Sequence, residues 1–372
     1  MARKIFIAAT SQNCGKTTLC LSLLHLAQKK YRRIGFIKPL GPKPSSYRGL
    51  TVDKDAALAA QVFGLTRNLK FMSPVIVERD TTRLALDGAL DLAALQEKIV
   101  TSFRELERRC DFIIIEGSGH PGVGSVLQLS NARIASLLDA PVIMVTGGGI
   151  GNVVDSVTLN QALFEKEGVA IRAILANKLI PEKRDSTIDY LQRAFAGEPF
   201  RVFGAFNFQP VLANPTLRRV ADLLGLPLQG NKRDAKRIIN HVQIGAASTQ
   251  RVAELLQDSS LLIVTSSRDE LLVTLANLYQ IPEYRSKIVG LVIPGVIPVG
   301  RISQQILDRS NIPYLRTMSH TTAELHQLIT EDVSKITVED KEKIALVHSL
   351  ADTGFEFDTL DALFAPKKGR GQ

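Results

Sequence analysis

The sequence predicts an α/β protein, a doubly wound, mostly parallel sheet followed by a smaller α/β domain. Three observations predict it. From residue 4 to about residue 225, short apolar runs bounded by turns alternate with helical periodicity, the order that yields a parallel sheet with helices on both faces. Several runs, such as Phe112-Ile113-Ile114-Ile115, are apolar without alternation, as strands covered on both sides are. The 372 residues exceed what one hydrophobic core usually organises, so two domains are expected.

Strands are expected at 5–9, 34–38, 112–116, 142–145, 171–177 and 202–206. A helix at 216–224 follows Pro215. Gly225 and the polar run Gly230-Asn231-Lys232-Arg233-Asp234 then interrupt the pattern and mark a boundary. A second alternation follows, with strands at 241–244, 261–265, 288–293 and 314–316 and helices from Ser248, Asp269, Gly300 and beyond Thr321. The expected domains are 1–228 and 229–352, with a C-terminal extension at 353–372. From Ala365 onward no apolar periodicity remains, so the end is expected to be disordered.

Apolar residues at 45% and charged residues at 22% exclude the disordered class. Cys14, Cys20 and Cys110 are odd in number and lack metal-ligand spacing, and Cys20 and Cys110 fall in segments that read as helix and strand. A reducing, cytoplasmic setting is expected. Residues 1–4 lead straight into a strand without a signal-peptide pattern, and no stretch approaches the roughly 18 apolar residues of a membrane span, so no membrane partner is expected. The net charge of +9 is scattered, part of it in Lys367-Lys368-Gly369-Arg370, with no aromatic-basic stripe. Nucleic acid is therefore not an expected partner.

After the first strand comes Thr10-Ser11-Gln12-Asn13-Cys14-Gly15-Lys16-Thr17-Thr18, then the apolar helix that starts Leu19-Cys20-Leu21. A strand, tight loop and helix in this order aim backbone N–H groups and the helix dipole at a polyphosphate; Lys16 reaches its outer phosphates and Thr17 can ligate Mg²⁺. Thr10 stands where the usual pattern has its first glycine. A nucleoside triphosphate, ATP, with Mg²⁺ is the expected cofactor.

Mg²⁺ also asks for a carboxylate. Glu116 ends the 112–116 strand before Gly117-Ser118-Gly119 and so lies at the sheet's C-terminal edge. Asp55, at a helix start, fits either a metal ligand or a charge favoured by the helix dipole. Lys38, before Pro39, fits either a ligand or a solvated strand end. His120 fits a structural role or one facing substrate. Gly147-Gly148-Gly149-Ile150-Gly151 lacks the spacing of a dinucleotide fingerprint and reads as a loop near substrate.

Residues 4–225 resemble the dethiobiotin synthetase-like P-loop proteins. The resemblance rests on Thr10 with Gly15-Lys16-Thr17, on Lys38-Pro39, on Asp55-Ala56-Ala57-Leu58 and on Glu116-Gly117-Ser118-Gly119. It implies a sheet of P-loop NTPase type. It also implies a nucleotide site at Thr10, Asn13, Cys14, Gly15, Lys16, Thr17 and Thr18, with Mg²⁺ on Thr17, Asp55 and Glu116 and catalytic roles for Lys16, Lys38 and Glu116. Asn177 looks like the family's base-contacting Asn, and Phe208 and Pro210, in Asn207-Phe208-Gln209-Pro210, match a loop flanking the purine. Glu116 to Pro121 with Asn131 and Ala140-Pro141-Val142 also resemble the synthetase part of cobyric acid synthase, whose members activate a carboxylate by phosphorylation. No glutaminase elbow with a nucleophilic Cys accompanies them, so amide transfer from glutamine is not expected.

The segment from Val211 to Leu217 with residues 234–350 is similar to the N-terminal half of long bacterial phosphotransacetylases, where a DRTGG domain follows. Ser267-Arg268-Asp269 and Ile293-Pro294-Gly295 stand at its two motifs in degraded form. The phosphotransacetylase catalytic domain is not in this sequence, so acetyl transfer is not expected. Leu40-Gly41-Pro42-Lys43-Pro44 replaces the small-residue loop that holds the diamine, which argues against dethiobiotin synthesis. The expectation is a MgATP-binding regulatory or sensor protein with slow ATP hydrolysis, homodimeric, with a small-molecule substrate or effector. The alternative is a ligase that phosphorylates a small carboxylate or carbamate.

Overall fold

A computed structural model describes residues 2–331 and 336–365. The chain folds as two compact units, Met1–Phe208 with Ile344–Gln372, and Gln209–Lys343. In the first, six strands, β1 (Arg3–Ala9), β2 (Ile34–Ile37), β3 (Phe112–Glu116), β4 (Val142–Gly147), β5 (Ile171–Asn177) and β6 (Arg201–Gly204), form one sheet in the order β6-β5-β4-β1-β3-β2. Every neighbouring pair is parallel. From β1 the chain moves to one edge through β2 and later crosses to the other side through β4, so the order reverses at β1. That is where an open α/β sheet leaves a crevice beyond its C-terminal strand ends.

Successive residues of a strand point to opposite faces, and here both faces are covered. Phe112 and Ile114 join a core with Leu19, Leu23 and Ala27 of α1 (Lys16–Lys30) and Ala56 and Ala60 of α2 (Lys54–Val62). Ile113 and Ile115 join another with Phe103 and Leu106 of α3 (Leu92–Arg109), Ala135 of α4 (Asn131–Leu137) and Val157 of α5 (Ile150–Lys166). This is why the strand reads as an unbroken apolar run. Leu191 of α6 (Arg184–Ala194) packs in the same core. Cys110 caps the end of α3 instead of opening a strand. All three cysteines are free and buried.

The second unit holds four parallel strands in sequential order, β7 (His241–Ile244), β8 (Ser260–Ile263), β9 (Ile288–Pro294) and β10 (Tyr314–Thr317). Leu217 and Val220 of α7 (Leu217–Leu224) pack with Leu261 and Ile263 on one face, joined by Leu325 and Ile329 of α11 (Thr322–Glu331). Leu262 and Leu291 pack with Val252 of α8 (Thr249–Glu254), Leu271 and Leu275 of α9 (Asp269–Leu278) and Leu307 of α10 (Arg301–Ser310) on the other. Residues 209–228 therefore group with the second unit, their apolar face being spent there.

The chain then returns. Helices α12 (Lys341–Gly354) and α13 (Phe357–Ala362) follow, and Leu360 and Phe364 enter the first unit's core beside Phe112 and Leu23. The expectation of disorder for 365–372 lies, apart from Ala365, outside the described residues. Among the described residues no helix is long and apolar enough to cross a membrane.

Candidate nucleotide site

Residues 10–15 turn from β1 into α1. Gly15, at the helix N-cap, has φ 95°, a left-handed conformation open to glycine. A Cβ there would come within 2.3 Å of Asn177 Nδ2, so the position also excludes a side chain sterically. No side chain caps α1 and no acidic residue occupies its first turn. Its leading N–H groups thus favour an anion. Thr10 does not need to be glycine: it is absent from the positive-φ residues, and its hydroxyl donates to Thr146 Oγ1 at 3.2 Å. Cys14 is buried, Asn13 is exposed with φ 59°, and Thr17 and Thr18 are half-buried in the first turn of α1.

Lys16 Nζ donates to the Gly119 carbonyl at 2.5 Å, which draws the loop after β3 over the phosphate-binding loop. Thr17 Oγ1 donates to Glu116 Oε1 at 3.0 Å. The same carboxylate oxygen accepts from Lys38 Nζ at 3.1 Å, and Lys38 reaches Asp55 Oδ2 at 3.0 Å and the Gly117 carbonyl at 3.0 Å. Lys38, Asp55 and Glu116 are all nearly enclosed, at 3%, 6% and 1% exposure. Burial alone would pull the Lys38 ammonium down, but Glu116, Asp55 and Asp53 outweigh it and hold it above its ordinary range. Lys38 is thus a charged member of the cluster and not a solvated strand end. Burial, then Glu116, pushes the nearby Cys20 thiol well up, so it remains a core thiol.

Two further residues brace this cluster. Asp53 caps α2 by accepting from Asp55 N at 2.9 Å and from Lys43 N at 2.9 Å, while its own N–H donates to Ser73 Oγ at 3.0 Å. Burial, followed by the charge of Asp55, raises its carboxyl. A hairpin of strands Pro44–Tyr47 and Leu50–Asp53 ends at this cap. Asn131 accepts from Ser118 N at 2.9 Å and donates to the carbonyls of Ser118 and His120 at 2.7 and 2.9 Å. A Cβ on Gly117 would meet Asn131 Oδ1 at 2.9 Å, which accounts for the glycine after Glu116.

Asn177, at the end of β5, donates from Nδ2 to the Cys14 carbonyl at 2.8 Å, and its Oδ1 accepts from Phe206 N at 3.2 Å. Its amide bridges the phosphate-binding loop to β5 and the segment after β6. Phe208 is half exposed at the end of the first unit, and Pro210 falls in the second. His120 is exposed and accepts from Gly122 N at 3.3 Å. Gly149 caps α5, so the glycine run is a strand-to-helix turn. In the second unit Arg268 donates to the carbonyls of Gly245, Ala246 and Ala247, which makes it a loop-closing residue there. Among the described residues no group of three or more His, Cys, Asp or Glu forms a metal cage. The oxygen set of Thr17, Asp55 and Glu116 instead fits Mg²⁺ as that ion is usually held, by one or two carboxylates with water and phosphate completing the shell.

Residues 3–216, more than half of the chain, match the AAA domain family. The chain belongs to this family. Within the AAA domain family's matched span lie the phosphate-binding loop, Lys38, Asp55, Glu116 and Asn177. The chain is homologous at low identity to phosphate acetyltransferases and cobyric acid synthases. It is 25% identical over 376 residues to the phosphate acetyltransferase of Pseudomonas putida, covering 96% of this chain and 50% of that protein. With the cobyric acid synthase of Thermodesulfovibrio yellowstonii it shares 26% identity over 197 residues, 48% of this chain and 40% of that one. The chain thus spans about half or less of these relatives' length.

Among solved structures, the septum site-determining protein MinD of Pyrococcus horikoshii, complexed with Mg-ADP, overlaps 57% of this chain and 84% of its own at 15% identity and TM-score 0.33. The CBS and DRTGG domains of the regulatory region of Clostridium perfringens pyrophosphatase, complexed with diadenosine tetraphosphate, overlap 33% of this chain and 48% of their own at 17% identity and TM-score 0.26. The parallel strand order, and not these partial overlaps, defines the fold.

Proposed function

We propose that the first unit binds ATP with Mg²⁺ and that the protein is a regulator or sensor with slow ATP hydrolysis. One observation carries the reading: Lys16, Thr17, Lys38, Asp55 and Glu116 converge beyond the C-terminal ends of β1, β2 and β3, at the sheet's switch point. Phosphates would lie along the N–H groups that open α1, with Lys16 exchanging the Gly119 carbonyl for phosphate oxygen. Thr17, Asp55 and Glu116 would hold Mg²⁺, whose charge would offset that of the phosphates. Asn177, Phe208 and Pro210 are proposed neighbours of the base. The second unit is proposed as a degenerate DRTGG-like domain that receives the effector, and the assembly as a cytoplasmic homodimer.

A second reading, a ligase that phosphorylates a small carboxylate or carbamate, draws support from Lys38, a charged group fixed beside both carboxylates. Release of ADP from MgATP, measured alone and with pools of small carboxylates and diamines, separates the two. A sensor shows the same slow rate throughout. A ligase gains rate only with its acceptor, because the phosphoryl group needs a positioned nucleophile. Stimulation of about a hundredfold by one acceptor, abolished in Lys38→Ala, would overturn the sensor reading.

A further inference from the structure

The C-terminal helices are built into the unit that carries the phosphate-binding loop, although the second unit is encoded before them. Two sets of their contacts bear on the phosphate-binding loop and its helix. On α1, Asp352 of α12 meets His25 Nε2 at 2.9 Å and Lys29 Nζ at 2.6 Å, and Asp361 of α13 meets Lys30 Nζ at 2.9 Å and the Tyr31 hydroxyl at 2.7 Å. Beyond β6, Phe355 stands edge-on to Phe206, ring centroids 4.9 Å apart at 85°.

Phe206 is 5% exposed, and its N–H is the donor that Asn177 Oδ1 accepts, while Asn177 Nδ2 holds the Cys14 carbonyl. The chain leaves this unit after Phe208 and re-enters at Ile344. The first crossing therefore follows Phe206 by two residues, and the second precedes Phe355 by most of the length of α12.

We propose that the segment from Ile344 to Ala365 is a positioning element for the phosphate-binding loop, acting through Phe355, Phe206 and Asn177 on Cys14 and Gly15. The reach onto Gly15 follows from the 2.3 Å that a Cβ there would leave to Asn177 Nδ2: the loop has no slack toward β5, so a shift of Asn177 moves it. An edge-to-face aromatic pair adds directional attraction beyond area burial, so the ring pair fixes Phe206 in orientation as well as in place. The functional half of this inference rests on the nucleotide reading above; the mechanical half does not.

Phe355→Leu keeps apolar volume and removes the ring edge. In the unliganded full chain, amide exchange at residues 11–17 should accelerate about tenfold in this variant while that of residues 112–116 stays unchanged, the size expected of one coupled contact. Equal acceleration at both segments, or none at residues 11–17, would overturn the proposal. By calorimetry the same variant should bind MgATP about tenfold more weakly. In an Asn177→Ala background Phe355→Leu should cost little more, because the relay is already cut. Fully additive losses would overturn the relay and leave nucleotide binding standing. A wild-type chain that ignores MgATP, while Phe355→Leu accelerates exchange at residues 11–17 as described, would overturn the nucleotide reading and leave the relay standing.

Discussion

Gly15, Lys38 and Asn177 show what single residues do here. Gly15→Ala places a methyl group against Asn177 Nδ2 in a left-handed backbone, and overpacking of this kind typically costs about 1–3 kcal/mol. The variant should melt lower and lose nucleotide binding together, as thermal denaturation with and without MgATP would record. Lys38→Met leaves Asp55 and Glu116 buried beside one another without their shared cation, a loss of about 3–5 kcal/mol by analogy with broken buried pairs. Urea melts of this variant beside the wild type at pH 7 check the size of that loss. The phosphate-binding loop was legible because its residues are consecutive. The bridging by Asn177 was not, since it joins Cys14 to Phe206, and nothing in the local sequence distinguishes an amide that contacts a base from one that braces a loop.

At the scale of elements, all six strands of the first sheet and all four of the second coincide with expected segments; the central ones read plainly because strands covered on both faces are apolar throughout, whereas β7, His-Val-Gln-Ile, is partly exposed and legible only by its spacing. The hairpin of Pro44–Tyr47 and Leu50–Asp53 has no signature in the sequence, its Pro-Ser-Ser-Tyr strand lacking apolar alternation. The packing of α12 on α1 carries a pH dependence of its own. His25 and His348 stack 4.1 Å apart, with Asp352 and Lys29 facing them. Burial, then His25, lowers the His348 pKa; Asp352 opposes this and Lys29 adds to it. A histidine with a lowered folded pKa binds its proton more readily when unfolded, so its contribution is intact above the ordinary value of about 6.5 and is lost as pH falls below it. Amide protection in residues 344–354, taken relative to the unstructured-chain exchange rate at the same pH, should fall between pH 7 and 5, and His348→Phe should flatten that dependence. Unaltered pH dependence in His348→Phe would assign it elsewhere.

The two-unit division changes how the whole molecule has to be dissected. A boundary at 228–229 followed from the break in periodicity at Gly225 and Gly230, but α7 spends its apolar face on the second unit and the C-terminal helices spend theirs on the first. Local periodicity reports that a helix has an apolar face and not which sheet that face covers. Ending the chain at residue 208 would strip Leu360 and Phe364 from the first unit's core, and a cost of several kcal/mol from two large buried side chains is enough to unfold a marginal domain. Replacing residues 209–343 with a short flexible linker should instead leave a folded unit that binds MgATP. Circular dichroism and calorimetry on both proteins test this, and a truncated 1–208 that folds and binds as well as the linker-joined protein would contradict the division. Comparison of the linker-joined protein with the full chain also measures regulation, because coupling between units is typically 1–3 kcal/mol, a change in ATP affinity of roughly 5- to 150-fold.

We propose that the loop at 10–18 and the carboxylates Asp55 and Glu116 form a site for ATP with Mg²⁺. Isothermal titration of the full chain with ATP, in the presence and absence of Mg²⁺, decides it. Wild-type protein should bind, more tightly with the metal; Lys16→Ala should bind in neither condition; Asp55→Ala and Glu116→Ala should lose mainly the gain that the metal confers. A silent titration of folded wild-type protein at millimolar MgATP would rule the site out.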